Sequence, residues 1–176
     1  MKITSKNREE LNFLESGLDG IYVLDHVVFR DQFDGYANES WEKSTFDGYE
    51  DYCWENSTGK KKLQKWAEEN LSKEILEEFE VDIPTVEEVF SQKMFNLYKP
   101  DMKRKSKQFP VFRDSDNRMM EFDGEPMCWW TKSIWLGEVN YMSCVDFAGN
   151  VSFNSIYRMS GFVPVLRRKN EKLRGD

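Results

Sequence analysis

Residues 127–133 read MCWWTKS, residues 139–147 VNYMSCVDF, residues 151–155 VSFNS and residues 161–166 GFVPVL. These short runs are dense in β-branched and aromatic residues, and turn residues separate them. Asp123-Gly124 stands before the first, and Ala148-Gly149-Asn150 lies between two others. With QFPVF at 108–112 and RMMEF at 118–122, the chain after Phe109 is predicted to form strands of four to six residues joined by tight turns.

Upstream the period changes. Leu63, Trp66, Ala67 and Leu71 form one helical stripe, and Ser72 can open a second turn carrying Ile75, Leu76 and Phe79. Thr85 and Glu88 make a capping box, with Val86, Val89 and Phe90 on the buried side. At the start of the chain Leu11, Leu14 and Leu18 recur three to four apart, Ser5 is placed to cap, and Gly17 is placed to stop. Helices are therefore predicted over Lys6 to Ser16, Gly59 to Leu71 and Val86 to Lys93. IYVLDHVVF, at 21–29, reads as a buried strand or hairpin. Helices come first and small strands last, an α+β order, with Trp66, Trp129 and Trp130 expected in the core.

The 176 residues fit one domain, 1–176: an N-terminal part (1–53), a central region (54–166) and a basic tail (167–176). Hydrophobic residues make up 39% and aromatics 15%, the composition of a chain that folds around large rigid side chains. The net charge is −7, unevenly spread. Met1 to Gly59 holds thirteen acids against five bases, while Pro100 to Arg113 holds five bases and one acid. An acidic chain with small basic islands is not the pattern of a nucleic-acid binder and suits a protein partner with a basic surface. The N-terminus lacks the apolar stretch of a signal peptide, and no apolar run reaches the length of a membrane span. A cytoplasmic location is expected. On that reading Asn38-Glu-Ser40 and Asn56-Ser-Thr58 are not glycosylation sites, and the final Arg174-Gly175-Asp176 is a chance tripeptide.

Asp31 to Glu55 mixes Gly, Asp and Asn with aromatics, and FDGY occurs twice, at Phe33 and Phe46. A long ordered loop is expected here. Interfaces concentrate their energy in Tyr and Trp anchors ringed by polar groups. The partner-binding residues are accordingly expected among Tyr36, Glu39, Trp41, Asp47, Tyr49, Glu50, Asp51 and Tyr52. The plainer reading, that these aromatics only pin the loop to the core, stands beside it.

Catalytic and metal chemistry find little support. His26 is the only histidine and lies in an apolar run, which favours a structural histidine over the base of a nucleophilic triad. Cys53, Cys128 and Cys144 are an odd set without paired ligand spacing, so free thiols are expected in place of a zinc site or a disulfide framework. Asp114, Asp116, Asp123 and Glu125 could offer oxygens to calcium. They lack the glycine of the calcium-binding loop and read first as solvated turn carboxylates. Lys103, Arg104, Lys105 and Lys107 could touch phosphate, but without interleaved aromatics they read as a solvated loop. No cofactor and no metal are expected.

Several stretches, in order, resemble one family. Trp54, Ser57, Leu63, Trp66 and Asn70 match its "Trp, Ser, Leu-x-x-Trp-Leu-Asn" helix, and VDIPTVEEVF resembles its "Leu-Leu-Ser-x-x-Glu-Val" segment. Trp129-Trp130-Thr131-Lys132-Ser133 resembles its Trp-Trp-Leu-Arg-Ser. Gly161 to Leu166 resembles its ending, Gly-Val-Arg-Pro-Ala-Leu. This is a bacterial and phage domain family of unknown function, related in fold to formylglycine-generating enzymes and to C-type lectins. The resemblance, from Trp54 to Leu166, implies a C-type-lectin-like fold with a small antiparallel sheet, flanking helices and long ordered loops. The sequence departs from the family at Thr131-Lys132 and at Val163, where an arginine stands before the proline. If that arginine pairs inside the fold, the pair is lost here. Glu125-Pro126-Met127 does not reproduce the sugar-binding Glu-Pro-Asn of C-type lectins. Cys128 and Cys144 do not reproduce the cysteine pair of the formylglycine enzymes.

The expected function is a non-enzymatic protein-binding module. A specific form is a phage- or mobile-element-encoded acidic inhibitor, of anti-CRISPR type, docking on the basic surface of a host defence nuclease. Two alternatives are a calcium-dependent or small-ligand carbohydrate binder using Asp114, Asp116, Asp123 and Glu125, and a formylglycine-type oxidase using Cys128 and Cys144.

Overall fold

A computed structural model describes residues 1–33, 54–94, 106–134 and 141–169. It is an α+β protein made mostly of curled antiparallel sheet with few helices. The first sheet orders its strands β1 (Lys2–Thr4), β2 (Glu10–Glu15), β3 (Ile21–Leu24), β12 (Val165–Arg168) and β5 (Phe79–Asp82), each antiparallel to its neighbour. The second orders β10 (Val151–Ser155), β9 (Tyr141–Val145), β8 (Trp129–Ile134), β11 (Ser160–Phe162) and β4 (Phe29–Asp31). Only β8 and β11 run parallel among these pairs. A separate hairpin joins β6 (Met120–Phe122) to β7 (Glu125–Met127).

One ribbon stitches the two sheets together. β3 pairs with β12 in the first sheet, and their continuations β4 and β11 pair in the second. Both chains bend between the sheets, at residues 25–28 and at Val163-Pro164. Proline is tolerated there because Pro164 need only accept, taking the Leu24 N–H at 3.0 Å, while Phe162 O takes the Val28 N–H at 3.0 Å. IYVLDHVVF is thus one interrupted strand shared by two sheets, and not a hairpin.

The N-terminal helix predicted over Lys6 to Ser16 is absent: these residues form the β1–β2 turn and β2. Leu11 and Phe13 are buried while their neighbours are half-buried or exposed, a period of two. The turn residues 5–9 are closed by Ser5 N–H donating to Glu9 O at 2.8 Å and are tied to the first helix by Lys6 N–H donating to Asn70 O at 2.9 Å. Pairing with β3 outweighs a three-residue leucine stripe, because isolated short helices are marginal and most helical stability comes from packing. Strands, not helices, therefore open the chain.

The remaining helical expectations fare better. Helix α1 (Thr58–Asn70) is capped by Ser57, whose hydroxyl accepts from Lys60 N–H at 3.0 Å. Helix α2 (Lys73–Glu78) is capped by Ser72, and Phe79 turns out of it into β5. Helix α3 is shorter than expected, Val86–Val89, with both halves of the Thr85–Glu88 capping box formed. Phe90 already has extended backbone and ends it. QFPVF is not a strand either, since Pro110–Arg113 forms a 3-10 turn. The Asp123-Gly124 turn is as expected, with φ of 54° and 79°, the left-handed pair that a two-residue hairpin needs.

Trp54, Trp129 and Trp130 are fully buried, but Trp66 is only half-buried. Phe33, Trp54, Trp130 and Phe162 pack as a ring cluster with centroids 5.6–6.4 Å apart. Gly59 makes that cluster possible, because a Cβ there would lie 2.8 Å from both the Phe162 ring and Phe33 O. Gly161 has the same role at the parallel β8–β11 contact, where a Cβ would meet both Val27 methyl groups at 2.6 Å.

Candidate functional site

Two groups of charged side chains stand out, both at the seam between the sheets. The first is internal. Asp82, at the end of β5, accepts from Trp54 Nε1 at 2.7 Å through Oδ1. Its Oδ2 accepts from Lys132 Nζ at 2.6 Å and from Arg167 Nε at 3.2 Å. Arg167 then forks onto Glu88, with bonds of 3.0 and 2.8 Å, and lies over the Phe109 ring. Glu88 Oε2 also closes the capping box by accepting Thr85 N–H at 2.8 Å.

Burial pushes the Asp82 carboxyl toward neutrality, but Lys132 and Arg167 outweigh it and hold it below its ordinary value. Burial would also make Arg167 easier to deprotonate, and Glu88 and Asp82 reverse that. Two acids and two bases from β5, α3, β8 and β12 cancel one another. Every oxygen of both carboxylates has a donor, which is the condition for tolerating charge in the interior.

The second group is an open cleft of about 460 Å³. It forms where the β3–β4 bend passes between β2, α1 and the β6–β7 hairpin. Leu11, Val27, Val28, Trp66 and Phe122 supply apolar walls, and the rim carries Glu9, Glu121 and Asp123 with Gly124 at the hairpin turn. Val27 N–H donates to Glu121 O at 3.1 Å and ties the bend to the hairpin. None of the three rim carboxylates forms an ion pair among the described residues.

His26 also lines this cleft. It is not in a strand, as its apolar surroundings suggested, but in the bend, with its side chain 40% exposed. Its Nδ1 lies 2.8 Å from Asp25 Oδ1, and Asp25 Oδ2 accepts from Asn12 Nδ2 at 2.6 Å. Asp25 holds one ring nitrogen and so orients the imidazole. Among the described residues that line the cleft none is a Ser, Thr or Cys.

The residues singled out from sequence are distributed as follows. Tyr36, Glu39, Trp41, Asp47, Tyr49, Glu50, Asp51 and Tyr52 lie outside the described residues, as do Cys53 and Lys103, Arg104 and Lys105. Asp114 Oδ1 is engaged by the Asp116 N–H at 3.0 Å, Asp123 is the first residue of the β6–β7 turn, and Glu125 opens β7. Among the described residues no three His, Cys, Asp or Glu side chains gather so as to hold a metal ion. Cys128 and Cys144 are free thiols. Burial raises both, Cys144 to about 12, so neither is a thiolate at neutral pH.

Apart from Trp66, which lines the cleft, the described residues that carry the resemblance are scaffold. Trp54 holds Asp82, Ser57 caps α1, Leu63 is buried, and Asn70 Nδ2 donates to Trp66 O at 2.8 Å. At the position before the proline Val163 is fully buried in apolar contacts, and the cations of the internal cluster are Lys132 and Arg167. Sequence reasoning missed both the internal ion cluster and the cleft. In the sequence Glu88 signals only a cap and Lys132 only a departure from the resemblance, and Asp82 and Arg167 carry no local signal.

The fold and its seam define an α+β protein with a small mixed-charge interior and an acidic cleft. No protein-family model, no curated protein and no solved structure matches the chain. None of the described helices is long and apolar enough to cross a membrane.

Proposed function

We propose that this chain is a non-enzymatic, cytoplasmic protein-binding module of C-type-lectin-like fold whose partner presents a basic surface. One observation supports it above the others: Glu9, Glu121 and Asp123 line a single cleft and meet no cation among the described residues, whereas Asp82 and Glu88 in the internal cluster are fully matched. Unmatched carboxylates around an amphipathic depression attract a positive partner and speed its approach. The acidic segment from Asp31 to Glu55, with Tyr36, Trp41, Tyr49 and Tyr52 beside Glu39, Asp47, Glu50 and Asp51, extends the same character. In its specific form the partner is a host defence nuclease, and the module is a phage- or mobile-element-encoded inhibitor that occupies the nuclease's basic groove.

The calcium-dependent reading has less support, since its four carboxylates form no ligand group. The oxidase reading needs a reactive thiol, and both described thiols are held protonated.

The test is capture from bacterial lysate with the immobilised chain, at low and at high ionic strength, against the Glu39→Lys/Asp47→Lys/Glu50→Lys/Asp51→Lys variant. Screening should weaken a charge-steered complex. The expected result is a salt-sensitive partner that the variant loses while its melting temperature is kept. A variant that folds and captures the same partner equally well removes this segment from the interface. Capture indifferent to salt removes the electrostatic reading.

A further inference from the structure

We infer that the cleft at the sheet seam receives an arginine side chain of a protein partner. This rests on the protein-binding reading above and adds where, and by what chemistry, the partner is gripped.

The lining suits such a side chain. Val28 is half-buried and can cover methylene groups above the nearly buried Leu11 and Val27, and the half-buried Trp66 and Phe122 add aromatic surface for a planar cation. Carboxylates come from both banks, Glu9 from the turn before β2, and Glu121 and Asp123 from the β6–β7 hairpin. A guanidinium presents five donors in a rigid fork and can reach two carboxylates while stacking on an aromatic ring. An ammonium is a single, strongly hydrated point charge and would use the aromatic walls less well. The rim repels anions, which disfavours phosphate and nucleic acid. The absence of a three-ligand group among the described residues disfavours a metal ion.

The same guanidinium chemistry already operates inside this chain. Arg167 forks onto Glu88 while lying over the Phe109 ring, 5.7 Å from its centroid. The cleft offers both components, carboxylates and aromatic rings, with no arginine supplied by the described residues. Its size falls within the ordinary range for ligand sites, roughly 300–1,000 Å³. It is open along one side, as a socket for a side chain carried on another surface would be.

His26 makes the test direct, because it is the chain's only histidine, so the one pair of imidazole C–H signals in the NMR spectrum, Hε1 and Hδ2, comes from the cleft. At constant pH, the full chain is titrated with a blocked Gly-Arg-Gly peptide, its Lys counterpart and its citrulline counterpart, which keeps the shape but not the charge. The expected result is a saturable shift of the His26 signal with the arginine peptide, several-fold weaker binding of the lysine peptide, and no shift with citrulline. The Glu9→Gln/Glu121→Gln/Asp123→Asn variant, altered only at exposed positions, should fold and lose the response. Trp66→Leu should weaken it.

No saturable shift with the arginine peptide, or an equal shift with citrulline, overturns the inference. Partner capture that survives the triple variant unchanged also overturns it, yet leaves a protein-binding module with its interface elsewhere. Arginine binding by a chain that captures no partner at either salt would sink the protein-binding reading instead.

Discussion

The internal ion cluster and the acidic cleft share one structural seam and one kind of side chain, but they place opposite demands on it. Asp82 and Glu88 are buried, and every oxygen of theirs is met by Trp54, Lys132, Arg167 or the Thr85 amide. Glu9, Glu121 and Asp123 are exposed and meet no cation among the described residues. A buried carboxylate without partners could not persist, because the desolvation penalty is several kcal/mol per ion. An exposed one can, because water replaces the missing partner. Location thus decides which acids build the fold and which remain available to something else.

The comparison breaks most readily at Asp82. Asp82→Ala leaves Lys132 and Arg167 in the interior without their carboxylate, and the expected loss is about 3–5 kcal/mol in urea denaturation. A variant as stable as the parent would show that water reaches the cluster and that it is not a dry structural element. Gly161→Ala follows. Its Cβ would press on the Val27 methyl groups at the parallel strand contact, and overpacking of this kind costs about 1–3 kcal/mol. Since Val27 is also a wall of the cleft, any His26 NMR shift in this variant would link the seam's packing to the cleft's shape.

Acid should weaken the internal cluster. The folded-state carboxyl of Asp82 titrates below its ordinary value, so the folded chain holds that proton more weakly than the unfolded chain does. The stability it contributes is fully present above the unfolded value near 3.8 and is lost as the pH falls through the folded one. Denaturation midpoints between neutral pH and about pH 3 should therefore decline at the acid end. The decline should be shallower in Asp82→Asn. The smallest effect expected is that of the cleft triple variant on stability, within about 0.5 kcal/mol for each exposed change. A larger loss would mean that the rim carboxylates contribute to the fold after all.

Several features were readable from the sequence because each is decided within a few residues. Ser57, Ser72 and Thr85 announce their helices by offering an oxygen to an amide three positions on, and Glu88 completes the box at Thr85. VSFNS is β10 residue for residue, and Asp123-Gly124 makes its turn because both positions need left-handed backbone that few residues accept. Trp129 and Trp130 are both buried, as expected, and because they are adjacent their strand is covered on its two faces.

Other features could not be read that way, since their partners are far off in the chain. Leu11, Leu14 and Leu18 satisfy a helical stripe and Leu11 and Phe13 a strand equally well. Only the pairing of Phe13 with Leu24 and of Leu11 with Ile3 selects the strand. The bend of β3 into β4 depends on Pro164 and Phe162, more than a hundred residues later. Asp82 finds Lys132 at a separation of 50 residues and Arg167 at 85. The cleft is assembled from a turn, a bend, a helix and a hairpin. Composition and local spacing determined an acidic, aromatic-rich α+β chain. Only tertiary structure decided which carboxylates were matched and which were left open, because pairing depends on distance in space, and local pattern carries no information about it.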